Sequence, residues 1–188
     1  MLIQARSFRT ALLAALVVLA VPGVADAAMT AGQKAKISFT AVGSPGFLDI
    51  EGESDSISVT DDGTKLTFVV PMMSVSSGID LRDEHMNAKY VEVAKFPNAT
   101  LSLAKADVPW PAAVGEAATG VVKGTFNVHG VDQPVDIAYT VKKSKTGYRV
   151  NAKFPFDVAN HGIAIPSYMG VTVEPKMNAV VQVDLVDG

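Results

Sequence analysis

The repeating pattern of this sequence is interrupted once, at residues 74–96, which read SVSSGIDLRDEHMNAKYVEVAKF and are followed by Pro97. On both sides of this stretch, apolar and polar residues alternate with the period of two that is typical of β-strands. Within it the alternation stops, and a polar turn leads into residues 81–86, which suit a short helix. A charged helical insert in an otherwise all-β chain indicates that the insert plugs or gates a barrel.

Eight strands are predicted from the runs of alternation around the insert. In the first strand, for example, Ile37 and Phe39 fall on one face, while Ser38 and Thr40 fall on the other. The second run reads as one long bent strand or two short ones, with Gly52 as the candidate bend. The predicted strands are residues 34–42, 46–60, 65–72, 100–105, 118–129, 135–141, 148–158 and 172–186.

Tight turns between the predicted strands, without helices between them, indicate an all-β antiparallel meander. Eight such strands close into a barrel or stack as a sandwich. Closure removes the sheet edges and leaves an interior just wide enough for one small ligand. Strands of about ten residues are roughly 33 Å long, so this interior suits a long, thin molecule. Alternation alone favours the simpler interpretation, a dry interior filled by its own side chains.

Several bulky apolar residues share the inward phase of the alternation. If the interior holds a ligand, these side chains are the candidate ligand-binding residues, together with one methionine from the insert. They are Phe68, Met72, Met86, Phe126, Tyr139, Phe154 and Phe156.

The charged residues of the insert have two interpretations. Arg82 and Asp83 are expected to tie the insert to the barrel through hydrogen bonds and an ion pair; contact with a ligand head group is the alternative. His85 lies about one helical turn after Arg82 and could face the same way. The whole segment is either a structural plug or a lid that hinges at Gly78, with Leu81 and Met86 turned inward.

The N-terminus indicates export. Arg6 and Arg9 precede an apolar run at residues 11–21, which is too short to span a bilayer, and Ala25-Asp26-Ala27 is a small-x-small cleavage site. We therefore predict a bacterial signal peptide at residues 1–27 and one periplasmic or secreted domain at residues 28–188. No membrane anchor is expected after cleavage.

Composition argues against several other functions. The net charge is −3 and there is no cysteine, so neither nucleic-acid binding nor thiol chemistry is indicated. Motifs for serine hydrolysis, phosphate binding and dinucleotide binding are missing, so we expect no enzyme, no catalytic residue and no cofactor. His85, His129 and His161 are far apart in sequence, whereas zinc sites usually include a close ligand pair, so no metal site is predicted.

Four segments resemble the YceI-like family. Asp80–Met86 resembles the family's Arg-Asp-x-His-Leu/Met segment, and Tyr90–Pro97 resembles its Phe-Phe-Asp-x-x-x-Tyr-Pro segment. Val122–Val135 resembles its Gly-x-Leu-Thr-x-x-Gly-Val-x-x-Pro-Val hairpin, and Asn160–Ile163 loosely resembles its Arg-x-x-Phe-Gly-Ile turn. The segments occur in order over most of residues 34–186.

The resemblance implies a lipocalin-like barrel of eight antiparallel strands that carries a polyisoprenoid, a quinone or a similar lipid. The chain departs from the family at the opening strand, which reads Gln33-Lys34-Ala35-Lys36, and at Asn160-His161, where an arginine is usual nearby. Because of these departures, the resemblance implies the fold but leaves the identity of the ligand open. The alternative function is a ligand-free envelope domain that acts through protein–protein contact, with a stress-response role and a homodimer left open.

Overall fold

Antiparallel strands form most of the computed structural model, which describes residues 28–45, 48–168 and 171–187. The predicted signal peptide, residues 1–27, lies outside the described residues. The strands are β1 (Met29–Ser44), β2 (Leu48–Ser54), β3 (Ser58–Asp61), β4 (Lys65–Pro71), β5 (Asn98–Ala104), β6 (Ala117–Val128), β7 (Val131–Lys143), β8 (Gly147–Asp157), β9 (Ser167–Tyr168), β10 (Val171–Val173) and β11 (Lys176–Asp187).

These strands form one curled sheet with the order β3-β4-β5-β6-β7-β8-β11-β1-β10-β9, and β2 also pairs with β1. Neighbours from β3 to β8 are consecutive in the chain, as the tight turns predicted. The segment that contains β2 and β3 connects β1, near one end of this order, with β4 near the other, since β2 pairs with β1 and β3 pairs with β4. The Met29 N–H also donates to the Asp61 carboxylate, 3.0 Å away, and so joins β1 to β3. The predicted all-β, barrel-like class is confirmed.

The described residues form eleven strands rather than the predicted eight. The predicted strands 46–60 and 172–186 each divide into two, and β9 was not predicted. Predicted strand 46–60 becomes β2 and β3, and its break lies at residues 55–57 rather than at Gly52. Gly52 instead allows close packing, because a Cβ there would lie 2.3 Å from Cε1 of Phe39 on β1. Pro175 lies in the gap between β10 and β11, where a proline cannot donate a ladder hydrogen bond.

The predicted turn after β3 is stabilised by its own aspartates. Asp61 accepts a hydrogen bond from the Gly63 N–H, and Asp62 accepts from the N–H groups of Thr64 and Lys65. The Thr64 hydroxyl adds a further bond to Asp62, and together these bonds lower the pKa of Asp62 to about 2. Such short-range bonds are the reason that aspartate favours turns.

Helical structure is concentrated in the insert. Helix α1 spans Asp80–His85, and a π-helical turn at Met86–Tyr90 follows it directly. Short 3-10 turns at Met72–Ser74, Lys105–Asp107 and Val158–His161 follow β4, β5 and β8. The predicted short helix is therefore present.

The barrel has two different ends. At the tryptophan end, the turns after β3, β5 and β7 come together around Asp61, Lys105, Trp110 and Tyr148. At the histidine end, the insert meets the β6–β7 turn and the 3-10 turn after β8, around Glu92, Phe96, His129 and His161. The contacts at these two ends determine how the interior is closed.

Candidate ligand-binding interior

The inner face of the barrel carries the apolar side chains of the alternating strands. Leu66, Ile137 and Phe154 are at most 1% exposed. Phe68, Met72 and Phe126 are also buried, whereas the remaining predicted lining residues are half-buried and pack against the same core. Those remaining residues are Met86, Tyr139 and Phe156.

Two small voids lie along this interior. The larger has a volume of about 30 Å³ and reaches Trp110 and Tyr139; the smaller has about 20 Å³ and reaches Phe126 and Phe154. Three side chains border both voids: Phe68, Leu101 and Val181. Each void is close to the size of one or two water-sized probes, far below the roughly 300–1,000 Å³ of a typical ligand pocket. Within the described residues, the interior is therefore a packed core with gaps rather than a continuous tunnel.

An aromatic cluster closes the interior toward the histidine end. The ring of Phe126 lies edge-on to three other rings, with centroid distances of 5.1 Å to Phe154, 5.0 Å to Phe156 and 5.3 Å to His161. His161 is 1% exposed, although histidine is seldom so deeply buried. In the sequence, His161 appears as an isolated histidine and as part of a turn that departs from the family, and neither observation predicted its place in this cluster.

The exit of the insert is fastened to the β6–β7 turn by a group that we call the latch, Glu92, Phe96 and His129. His129 Nε2 lies 3.0 Å from Glu92 Oε2, and its Nδ1 lies 3.1 Å from the His161 carbonyl oxygen. Both partners only accept, so a ring that carries both protons satisfies both contacts. The Phe96 ring packs against the same imidazole at 4.5 Å. Hydrogen bonds from Lys95 and then His129 lower the pKa of Glu92.

The entry of the insert is held by Arg82 and Asp83. The Arg82 guanidinium donates to the hydroxyl and carbonyl oxygens of Ser77, at 2.7 and 2.6 Å. Asp83 accepts from the Ser76 hydroxyl at 2.7 Å and from the Ser77 N–H at 2.8 Å. Burial opposes the ionisation of Asp83, but the bonds from Ser77 and Ser76 outweigh it and lower the pKa. Ser76 in turn exchanges two backbone hydrogen bonds with Glu53 of β2, so these contacts connect the insert to the barrel.

The inward face of the insert differs from the expected one. Leu81, expected to point inward, is 60% exposed, and His85 is also exposed. The buried positions come later, at Val91 and Val93, which are 7% and 6% exposed, while Met86 is half-buried as part of the same packing. The π-helical turn at Met86–Tyr90 adds a residue to one helical turn and so rotates the side chains that follow it, among them Val91 and Val93. Leu81 precedes this turn and is exposed on α1 itself.

The tryptophan end is closed by a buried ion pair. Lys105 Nζ lies 2.9 Å from Asp61 Oδ2, and the two side chains are 8% and 0% exposed. Burial alone would raise the pKa of Asp61, but hydrogen bonds from the Met29 N–H, Lys105 and the Gly63 N–H lower it. Trp110 packs over this end: its Nε1 donates to the Lys105 carbonyl oxygen at 2.9 Å, and its ring meets the Tyr148 ring at a centroid distance of 4.9 Å.

In the described part of the chain, histidines and carboxylates do not gather into a group of three that could hold a metal ion. The helical segments of residues 28–45, 48–168 and 171–187 are too short or too polar to cross a bilayer.

The family model described as the YceI-like domain matches residues 29–185. The chain belongs to the YceI-like family. The sequence resemblance noted from four segments is thereby confirmed. A comparison with curated proteins gave no match.

Solved YceI-like structures share the fold at low sequence identity. A polyisoprenoid binding domain from Saccharophagus degradans, implicated in plant cell wall breakdown, is 16% identical, with a TM-score of 0.71 over 86% of this chain and 99% of that chain. Burkholderia cenocepacia BcnA is 15% identical, with a TM-score of 0.62 over 79% and 94%. The Campylobacter jejuni YceI protein is 16% identical, with a TM-score of 0.52 over 76% and 86%.

Proposed function

We propose that this protein is exported and that it binds a long apolar molecule, such as a polyisoprenoid or a quinone, inside the barrel. The observation that carries the proposal is the apolar interior, whose two voids follow one another between the ends. Burial of apolar surface contributes about 25 cal/mol per Å², so a long hydrocarbon chain gains free energy on entering such an interior. The Saccharophagus domain, which is named for polyisoprenoid binding, supports this class of ligand.

Binding requires the packed interior to open. The volumes of about 30 and 20 Å³ do not hold a lipid chain, so the side chains that separate the voids must move apart. Phe68 is the bulkiest of those side chains, and a change of its rotamer would join the two spaces. The ligand would stabilise the open state because it binds that state more tightly than the closed one.

The histidine end is the proposed entrance. There the closing segment is an insert fastened at two places, by Arg82 and Asp83 at its entry and by the latch at its exit. The part of the insert after the Ser76–Glu53 bridge can swing away without breaking a strand ladder, if Val91 and Val93 leave the core. The tryptophan end is instead closed by tight turns and the buried pair of Lys105 and Asp61.

Binding is tested with a fluorescent polyene alcohol and with the pair Phe126→Asp and Val121→Asp. Both positions are on β6, but Phe126 is 6% exposed inside the barrel and Val121 is 67% exposed on its outer face. We expect Phe126→Asp to abolish binding, with a loss of stability because an unpaired charge is buried. Val121→Asp should bind like the wild type. Failure of the wild type to bind any apolar chain would favour a filled domain that acts through protein contacts.

Export is tested separately. Expression of the full chain in a bacterium, followed by fractionation and N-terminal sequencing, should recover a protein in the periplasm that begins at Ala28. Recovery of the uncleaved chain from the cytoplasm or the membrane would contradict the signal-peptide proposal.

A further inference from the structure

The buried histidine of the aromatic cluster has one ring nitrogen without a partner. His161 Nδ1 lies 2.9 Å from the Val131 carbonyl oxygen, which can only accept, so Nδ1 carries a proton. In the neutral ring, Nε2 is then a bare acceptor. This atom is buried and has no hydrogen-bond partner among the described residues.

An acceptor in this position is unfavourable for the empty protein. Buried polar groups are nearly always hydrogen-bonded, and an exception calls for an explanation, such as a chemical role or a partner that binds there. The surroundings of His161 are the rings of Phe126 and Phe156, at centroid distances of 5.3 and 6.3 Å. Phe126 also borders the smaller void, so His161, which does not line that void itself, lies one aromatic ring away from it.

We propose that His161 Nε2 accepts a hydrogen bond from the polar end of the bound molecule, and that the protein therefore selects apolar chains that end in a neutral hydroxyl group. This inference rests on the proposed function and adds the chemistry of the ligand's polar end. The apolar chain would extend from His161 along the two voids toward Trp110. The hydroxyl would be the last part of the ligand to enter and would sit under the insert.

The chemistry of Nε2 decides which polar ends fit. A hydroxyl group donates one hydrogen bond and can be buried once that bond is made. An ionised carboxylate or phosphate has no proton to donate, so it would face the lone pair of Nε2 in an apolar surrounding. A methyl ether has nearly the same shape as the alcohol but lacks the donor, which makes it the matched probe.

The experiment compares geranylgeraniol with its methyl ether on the wild type, His161→Phe, His161→Gln and His85→Phe. We expect the wild type to bind the alcohol about tenfold more tightly than the ether, the size of effect that one net hydrogen bond can give. Phenylalanine keeps a ring of similar size but offers no acceptor, so His161→Phe should bind the two probes equally. Glutamine retains an acceptor near the position of Nε2 and should keep part of the preference.

Controls separate the possible failures. His85 is an exposed histidine on α1, so His85→Phe should keep the full preference. Equal binding of alcohol and ether by the wild type would overturn the inference but leave the proposed function standing. Binding of neither probe would overturn both.

A spectroscopic measurement covers the case in which His161→Phe does not fold. The ¹⁵N resonance of His161 Nε2 in the wild type should shift when geranylgeraniol is added and stay unchanged with the ether. The same response to both probes, or to neither while both bind, would overturn the role of His161.

Discussion

The two ends of the barrel are closed by different means. At the tryptophan end, Asp61 and Lys105 form a buried ion pair between chain segments that are already fixed by tight turns. At the histidine end, the insert lies across the opening. It is held by side-chain hydrogen bonds at its entry and exit, by two backbone hydrogen bonds between Ser76 and Glu53, and by the buried Val91 and Val93. The difference indicates that the tryptophan end maintains the fold, while the histidine end closes the interior in a way that can be reversed.

The largest expected effect comes from removing the side chain that lies between the two halves of the interior. Phe68 is 6% exposed and borders both voids, so Phe68→Ala should join them into one cavity. Large-to-small changes of a buried phenylalanine cost about 3–5 kcal/mol of unfolding free energy. Denaturant unfolding should show this loss, and a saturating polyene alcohol should restore more stability to Phe68→Ala than to the wild type. Equal stabilisation of the two proteins would contradict a role for Phe68 between the voids.

The next largest effect is expected at the tryptophan end. Asp61→Asn removes the carboxylate that faces the buried Lys105, and breaking such a buried pair costs about 3 kcal/mol. The midpoint of thermal unfolding should fall, while the off-rate of a bound polyene alcohol should stay nearly unchanged. A large increase in the off-rate would show that the ligand also exchanges at this end.

The same variant has a predicted pH dependence. Because folding lowers the pKa of Asp61 from 3.8, its ionised form stabilises the fold fully above that value, and this contribution is lost as the pH falls through the folded pKa. Below pH 4 the wild type should therefore lose stability more steeply than Asp61→Asn. Parallel acid unfolding curves for the two proteins would contradict this assignment.

At the histidine end, the latch should control exchange more than stability. Glu92→Gln replaces the charged partner of His129, and we expect the ligand off-rate to rise about fivefold, since charge-assisted hydrogen bonds are stronger than neutral ones. The exposed Glu84, on α1, supplies the matched control Glu84→Gln, which should leave the off-rate unchanged. Since hydrogen bonds from Lys95 and His129 lower the pKa of Glu92 from its usual 4.5, Glu92 should stay ionised until the pH falls below that value.

The smallest effect is expected at the entry of the insert. Arg82→Ala removes the two hydrogen bonds to Ser77 but leaves those of Asp83 in place. The off-rate should rise about two- to threefold, in keeping with the modest net contribution of a hydrogen bond to stability. A large fall in the midpoint of thermal unfolding with an unchanged off-rate would show that the insert stabilises the fold but does not control ligand release.

Strand order and class could be predicted because alternation and turn chemistry are local. The Asp61–Thr64 turn, for example, is stabilised by hydrogen bonds between residues at most three apart. The inward face of the insert could not be predicted, since the π-helical turn after His85 shifts the phase of the residues that follow it, and it is these residues, Val91 and Val93, that the core buries. The signal peptide at residues 1–27 stays a prediction.

The histidine end was missed because its contacts join distant parts of the chain. Glu92 and His129 are 37 positions apart, and His161 meets the Val131 carbonyl across 30 positions. No local pattern in the sequence marks such pairs. The unpaired Nε2 of His161 becomes visible only when the burial of every polar atom is known.

The central claim is that an apolar chain lies inside the barrel with its hydroxyl at the histidine end. Trp110 is the single tryptophan of the chain and borders the larger void, so its fluorescence reports on that half of the interior. The direct measurement titrates the protein with a long-chain alcohol brominated at its far end and with one brominated beside the hydroxyl. The account predicts strong quenching of Trp110 by the first and weak quenching by the second. Absence of quenching by the first, at concentrations where the alcohol binds, would contradict it.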